Sequence, residues 1–306
     1  MTLKVNKNDR KLLDAIAEHK TLTVKQLSAL SQKSFQVIRR RIRDLAAEDL
    51  ITTQMQGYGR SRGRPETLIF LTAKGAALLE EEGTPSGHAA LATDKAEDPV
   101  SLDHLLLVNW FRIHLIRIER AIPQLSVHYL NPTPQPSGSY RSSPSERIPS
   151  DHKPEKFVEF IPDGVFLVTH QETDKKTLLF FLEVDMGSET LVSMDRDPKD
   201  IRQKILNYQT LFRSGLYKRY EKVFESKLNG FRLLFLVNSG ARLIGLCRLV
   251  REMPPSDFIW LVDQQRMFSY GLAAKIWARG GRNDEPPQSI LGEKLACELP
   301  LIYGNE

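Results

Sequence analysis

Two groups of side chains in this sequence carry chemistry by their type and spacing. The first is acidic. The apolar run Leu178-Leu179-Phe180-Phe181-Leu182 ends in Glu183-Val184-Asp185, and Pro162-Asp163-Gly164 lies about twenty residues before it. Residues i and i+2 of a strand share a face, so Glu183 and Asp185 point the same way. Two carboxylates side by side at the end of a buried strand repel each other. They require a cation, basic partners, backbone donors or a shared proton. With Asp163 on a neighbouring strand, these three are candidate catalytic acids. They are also candidate ligands for Mg2+ or Mn2+, which prefer hard oxygen donors. The second group is basic. Arg39, Arg40, Arg41 and Arg43 crowd one short stretch, and Arg60, Arg62 and Arg64 follow in the glycine-punctuated run Gly57 to Pro65. Planar guanidinium forks match phosphate oxygens, so this spacing suits a polyanion.

Local elements must position both groups. Asp9 to Glu18 reads as a helix with Leu12, Leu13 and Ile16 on one stripe. Thr23 caps a short second helix through Leu30, and Ser34 is a good N-cap for a third. In the third helix Phe35, Ile38, Ile42 and Leu45 share one face. Gln36, Arg40 and Arg43 then lie opposite, with Arg39 on the flank and Lys33 just ahead of the helix. A strand from Ile51 to Met55 and another from Thr67 to Leu71 enclose the arginine loop, where Tyr58 also sits, and Thr72 caps a fourth helix through Glu82. The order of three helices, a hairpin and a helix resembles the winged helix family. That resemblance implies a recognition helix using Lys33, Ser34, Gln36, Arg39, Arg40 and Arg43, and a wing using Tyr58, Arg60, Arg62 and Arg64. The alternative is a solvated basic face.

Downstream, Leu102 to Ile122 is a strong helix. Val127–Leu130, Phe157–Ile161, Val165–Thr169, Thr177–Val184, Phe231–Val237 and Phe258–Leu261 read as strands, with helices over Pro198–Ser214 and Ala241–Arg251. The Leu178–Leu182 run lacks alternation, so it is expected to be a central strand buried on both faces. The fold class is α/β (α+β): a winged helix-turn-helix over 1–82, a Gly/Ala/Ser/Thr-rich linker over 83–100, and a mixed α/β sandwich over 101–306 with a mobile loop at 131–156.

The 306 residues suffice for two domains, on the usual size of roughly 100–200 residues each. Residues 1–82 hold 15 Lys and Arg against 10 Asp and Glu, while residues 83–306 hold 28 of each. The whole net charge of +5 thus sits where a polyanion would bind. Cys247 and Cys297 stand far apart without companions at metal-ligand spacing, which argues against structural zinc and a disulfide framework and suits a reducing cytosol. The first residues are polar and no apolar run reaches the roughly 20 residues that span a bilayer, so a soluble cytoplasmic protein without membrane partners is expected.

Two further resemblances follow from the quoted motifs. Pro162-Asp163-Gly164 with Glu183-x-Asp185 is similar to the two-part acidic motif of the restriction-endonuclease-like PD-(D/E)xK superfamily. That likeness implies metal held by Asp163 and Glu183 and a lysine two residues after the second acid. Asp185 occupies the lysine position, so Lys204 is the candidate replacement and Glu119 a candidate outlying acid. Across nearly the whole chain, the layout resembles the replication-relaxation family of plasmids and other mobile elements. The shared features are a winged helix, a helix carrying His104, Val108 and Asn109, then Pro-Asp, then Glu183 to Glu189, then a helix with Lys204 and Tyr208. It implies a DNA-binding protein in replication or maintenance of an extrachromosomal element. Expected partners are double-stranded DNA, a second copy, and replication or conjugation proteins. The alternatives are a magnesium-dependent nuclease or nickase and a transcriptional repressor with an apolar ligand pocket. On a purely structural reading, Asp163 is a turn residue, and Glu183 and Asp185 are paired with Arg202 or Lys204 or bonded to the 187–190 turn.

Overall fold

The computed structural model describes residues 5–55, 66–80, 99–130, 133–134, 140–141, 145–149, 157–171, 176–192 and 200–301. The chain divides into two compact units, one of residues 1–113 with 133–141, the other of residues 114–132 with 142–306.

The first unit opens with α1 (Lys7–His19), held by a reciprocal cap. Asn6 accepts from the backbone N–H groups of Asn8 and Asp9, and Asp9 accepts from Asn6 N at 2.7 Å. Next come β1 (Thr21–Thr23), α2 (Val24–Ser31), α3 (Phe35–Ala47), β2 (Ile51–Met55), β3 (Thr67–Leu71) and α4 (Ala73–Glu80). Thr23 and Gln26 form a second reciprocal cap on α2. The strands form an antiparallel sheet ordered β1-β3-β2. Leu13, Ile16, Leu22, Leu27, Leu45 and Ile69 are fully enclosed between the helices and this sheet. Each contributes roughly 1.5–3 kcal/mol by leaving water. β1 is absent from the sequence expectations, because three residues carry too little alternation to show.

Helix α5 (Pro99–Ala121) begins where the α/β sandwich was expected to begin, yet residues 99–113 are counted with the first unit. Polar contacts account for this. Asn109 is 1 % exposed and donates to the carbonyls of His19 at 3.1 Å and Thr21 at 2.9 Å. Gln26 Nε2 donates to Leu106 O at 2.9 Å, and Arg112 pairs with Glu18 at 2.6 Å. The 83–98 part of the expected linker lies outside the described residues.

The remaining strands are β4 (Leu125–Tyr129), β5 (Thr133–Pro134), β6 (Tyr140–Arg141), β7 (Glu146–Pro149), β8 (Phe157–Phe160), β9 (Gly164–His170) and β10 (Thr177–Asp185). They are followed by α6 (Ile201–Ser214), α7 (Tyr220–Phe224), β11 (Phe231–Val237), α8 (Gly240–Arg251), β12 (Ile259–Asp263), α9 (Gln264–Tyr270) and β13 (Ala278–Arg279). Six strands make the central sheet in the order β13-β12-β11-β10-β9-β4. β10, β11 and β12 are parallel, joined by α6 and α8 as crossovers, and the outer pairings are antiparallel. The chain is thus an α/β protein, and β10 is the buried central strand its unbroken apolar run predicts. One expectation changes: the stretch expected to be irregular, 131–156, contains β7, which pairs with β8 in a separate two-stranded sheet.

The two faces of the sheet are packed differently. On the α6 side, Phe181 meets Tyr220 and Phe231 edge to face and Tyr208 at a tilt. On the other, a ladder of rings and guanidinium groups crosses all six strands. Tyr129 stacks on Phe166, and Phe166 on Phe180 at 4.8 Å. Arg232 then lies between Phe180 and Trp260, and Arg279 lies over Trp260 at 5.8 Å. Among the described residues no helix is long and apolar enough to cross a membrane.

Candidate functional site

The basic group sits on α3. Ser34 caps the helix, its hydroxyl facing Val37 N at 3.5 Å, and Ile38, Ile42 and Leu45 are buried. Lys33, Ser34, Gln36, Arg39, Arg40 and Arg43 are all exposed. The fourth arginine of the run behaves differently. Arg41 turns inward and forms a two-pronged ion pair with Asp9, which is 1 % exposed, and its Nη1 lies 3.2 Å from Asp44. The hydrogen bonds that Arg41 donates to Asp9 hold its guanidinium above its ordinary range. Arg39, Arg40 and Arg43 have no hydrogen-bond or ion-pair partner among the described residues. Pairs at i,i+3 and i,i+4 on a helix are neighbours, so these three cations repel one another and gain from any polyanion that covers them. Tyr58, Arg60, Arg62 and Arg64 lie outside the described residues, between strands that pair Met55 with Thr67.

The acidic group sits at the carboxyl end of β10. Glu183 and Asp185 share a face, and each is 4 % exposed. Glu183 Oε1 accepts from Tyr208 OH at 2.6 Å, and its Oε2 is 3.2 Å from Lys204 Nζ. Lys204 also lies 2.9 Å from Glu189. Asp185 accepts from Arg242 Nε at 2.5 Å and from Gly187 N at 2.8 Å. Gly187 has φ +77°, a left-handed conformation that glycine adopts without strain and that turns its N–H back to Asp185. Asp163 Oδ2 accepts from Val184 N at 2.7 Å, which ties the loop before β9 to β10. Burial pushes the Glu183 carboxyl up to about 7 against the pull of Lys204, and Asp163 adds to the rise. Burial opposes the charge on Lys204, but Glu183 and Glu189 outweigh it and hold the ammonium above its ordinary range. Burial and Glu183 together keep the Tyr208 hydroxyl protonated.

A family-level match joins the two regions. The model of the replication-relaxation family matches residues 13–226, from α1 to just beyond α7. The chain belongs to the replication-relaxation family. No curated protein sequence matches it. Membership points to a role in plasmid or mobile-element replication.

In this replication-relaxation protein Asp163 lies close enough to raise the Glu183 carboxyl, and Lys204 forms an ion pair with Glu183 at 3.2 Å. The acidic residues do not make a cage for Mg2+ or Mn2+. A divalent cation needs several oxygens facing one point, with lone pairs to give. Here both Glu183 oxygens and both Asp185 oxygens are engaged by protein donors, and Lys204 and Arg242 supply the compensating positive charge. Among the described residues no group of three or more His, Cys, Asp or Glu side chains is placed to hold a metal ion. Glu119 is also used elsewhere, accepting from Val127 N at 3.0 Å.

Several residues of this network carry no sequence signal. Arg242 comes from the first turn of α8, brought to Asp185 because β10 and β11 are parallel and end together. Glu146 forms a second buried acidic centre. It is 1 % exposed and accepts from Tyr220 OH at 2.6 Å and Arg219 at 2.8 Å. Burial raises its carboxyl despite both donors. A cavity of about 550 Å3 lies elsewhere in the second unit. Its lining mixes charged residues such as Arg266, Lys275 and Glu285 with apolar ones such as Ala274, Ile276 and Pro287.

Proposed function

We propose that the protein binds double-stranded DNA of a plasmid or other mobile element during its replication, through a winged helix in the first unit. α3 enters the major groove, with Gln36, Arg40 and Arg43 toward the bases and Lys33, Ser34 and Arg39 toward phosphates. The loop between β2 and β3 supplies Tyr58, Arg60, Arg62 and Arg64 as the wing. The observation that carries this reading is the contrast within one helix. Arg41 is consumed by Asp9, while Arg39, Arg40 and Arg43 stay exposed without partners among the described residues. The test is the double variant Arg40→Glu/Arg43→Glu, measured for duplex affinity at two salt concentrations. Each carboxylate placed in the groove offsets one positive charge that neutralises phosphate, so a weaker affinity is expected, with a salt slope shallower by about 0.9 for each charge no longer neutralised. Wild-type affinity with an unchanged slope overturns the reading.

The acidic cluster in this reading is a scaffold that holds β10, α6 and α8 in register and leaves the second unit free for contacts with a second copy or with replication or conjugation proteins. Supercoiled plasmid incubated with protein and Mg2+ or Mn2+ is expected to stay intact. Cleavage that disappears in Glu183→Ala would show a nuclease instead.

A further inference from the structure

The exposed side of α3 holds one large apolar side chain. Val37, in the first turn, is 46 % exposed and takes no part in the core of the first unit. Lone exposed aliphatic residues are ordinary on protein surfaces. This one is flanked by Ser34, Gln36 and Arg40, on the helix whose other outward residues are nearly all polar or charged. A β-branched side chain on a helix is fixed at χ1, so Val37 presents its methyl groups in one direction and loses little freedom when they are covered. Gln36 sits 100° away around the helix and faces a different point along a groove, with Arg40 between them one turn on.

That pairing of types has a specific counterpart in the major groove. An amide side chain bonds adenine at N6 and N7, and an aliphatic group packs on the C5 methyl of thymine, which no other base carries. We propose that α3 reads adjacent A·T pairs, with Gln36 on an adenine and Val37 against a thymine methyl, so that Val37 adds a sequence choice at that pair to what the polar residues of the helix read. This rests on the duplex-binding reading above.

The experiment uses the full chain. Duplexes are selected from a random library, and the enriched site is resynthesised with uracil replacing thymine one position at a time, which removes only the methyl group. Wild type is expected to bind about fourfold more weakly at one such position, the equivalent of one buried methyl. Val37→Ala is expected to bind thymine and uracil duplexes equally. Gln36→Ala should relax the adjacent adenine preference roughly tenfold. Both side chains are exposed, so neither variant threatens folding. Uracil tolerated at every position, a thymine preference kept by Val37→Ala, or enrichment of no consensus would each overturn the inference and leave duplex binding intact. Failure to retain any duplex would remove both readings.

Discussion

The exposed face of α3 and the carboxyl end of β10 both concentrate charge, and they dispose of it in opposite ways. At β10 the protein answers each charge itself. Glu183 faces Lys204 and Tyr208, and Asp185 faces Arg242 and the Gly187 N–H. On α3 three arginines are left without protein partners among the described residues. A buried charge without its partner costs several kcal/mol, so an internal network must close. An exposed cation costs little, so it can wait for an external anion. In the proposed reading, charge left for binding is uncompensated, and charge that serves the fold is compensated within it.

Arg41 and Arg40, neighbours in sequence, give the sharpest way to break that comparison. Arg41→Ala strands the buried Asp9 and should destabilise the first unit by about 3 kcal/mol. Arg40→Ala should stay within about 0.5 kcal/mol of wild type and lower only duplex affinity. Urea denaturation of the two variants decides it, and equal costs would erase the distinction. In the second unit, Lys204→Met should cost about 2–3 kcal/mol by the same logic, since it removes the cation facing Glu183. A wild-type melting temperature would show that the ion pair does not hold that end of β10 together.

The pH dependence sharpens the contrast further. Glu183 has its carboxyl raised from 4.5 to about 7, so between those values the folded state holds more protons than the unfolded one. Stability from this group is therefore highest at low pH and falls as pH rises from 4.5 to 7, the reverse of an ordinary paired carboxylate. Relative to Glu183→Gln, wild type should lose stability across that window, by at most about 1.4 kcal/mol per pH unit, and run level above it. A difference that does not vary with pH refutes the raised carboxyl. The smallest effect concerns Thr23, whose replacement by Ala should cost about 1 kcal/mol through loss of the α2 cap.

Much of this arrangement was legible in the sequence because it rests on local periodicity. The stripe Ile38, Ile42 and Leu45 places the arginines of α3, and the unbroken Leu178–Leu182 run marks β10 as central. The Lys204 approach to Glu183 was also anticipated, since α6 directly follows the strand. Pairings between distant residues were not legible. Nothing in Asn109 foretells hydrogen bonds to His19 and Thr21, some ninety residues earlier, and nothing marks Arg242 as the partner of Asp185. The surroundings of the acidic side chains were hidden for a related reason. Spacing shows where carboxylates converge, but whether cations from other helices fill the gap depends on crossovers that leave no periodic trace.

The cation and ring ladder ends at Arg279 on β13, a strand of two residues made after every other strand of its sheet. Until those residues leave the ribosome, the outer edge of β12 lacks its neighbour and Trp260 lacks its final cover. Residues 5–80, by contrast, already contain all three strands of the smaller sheet. Synthesis from the amino end therefore makes every strand of the three-stranded sheet by residue 71, while the six-stranded sheet waits for residue 279.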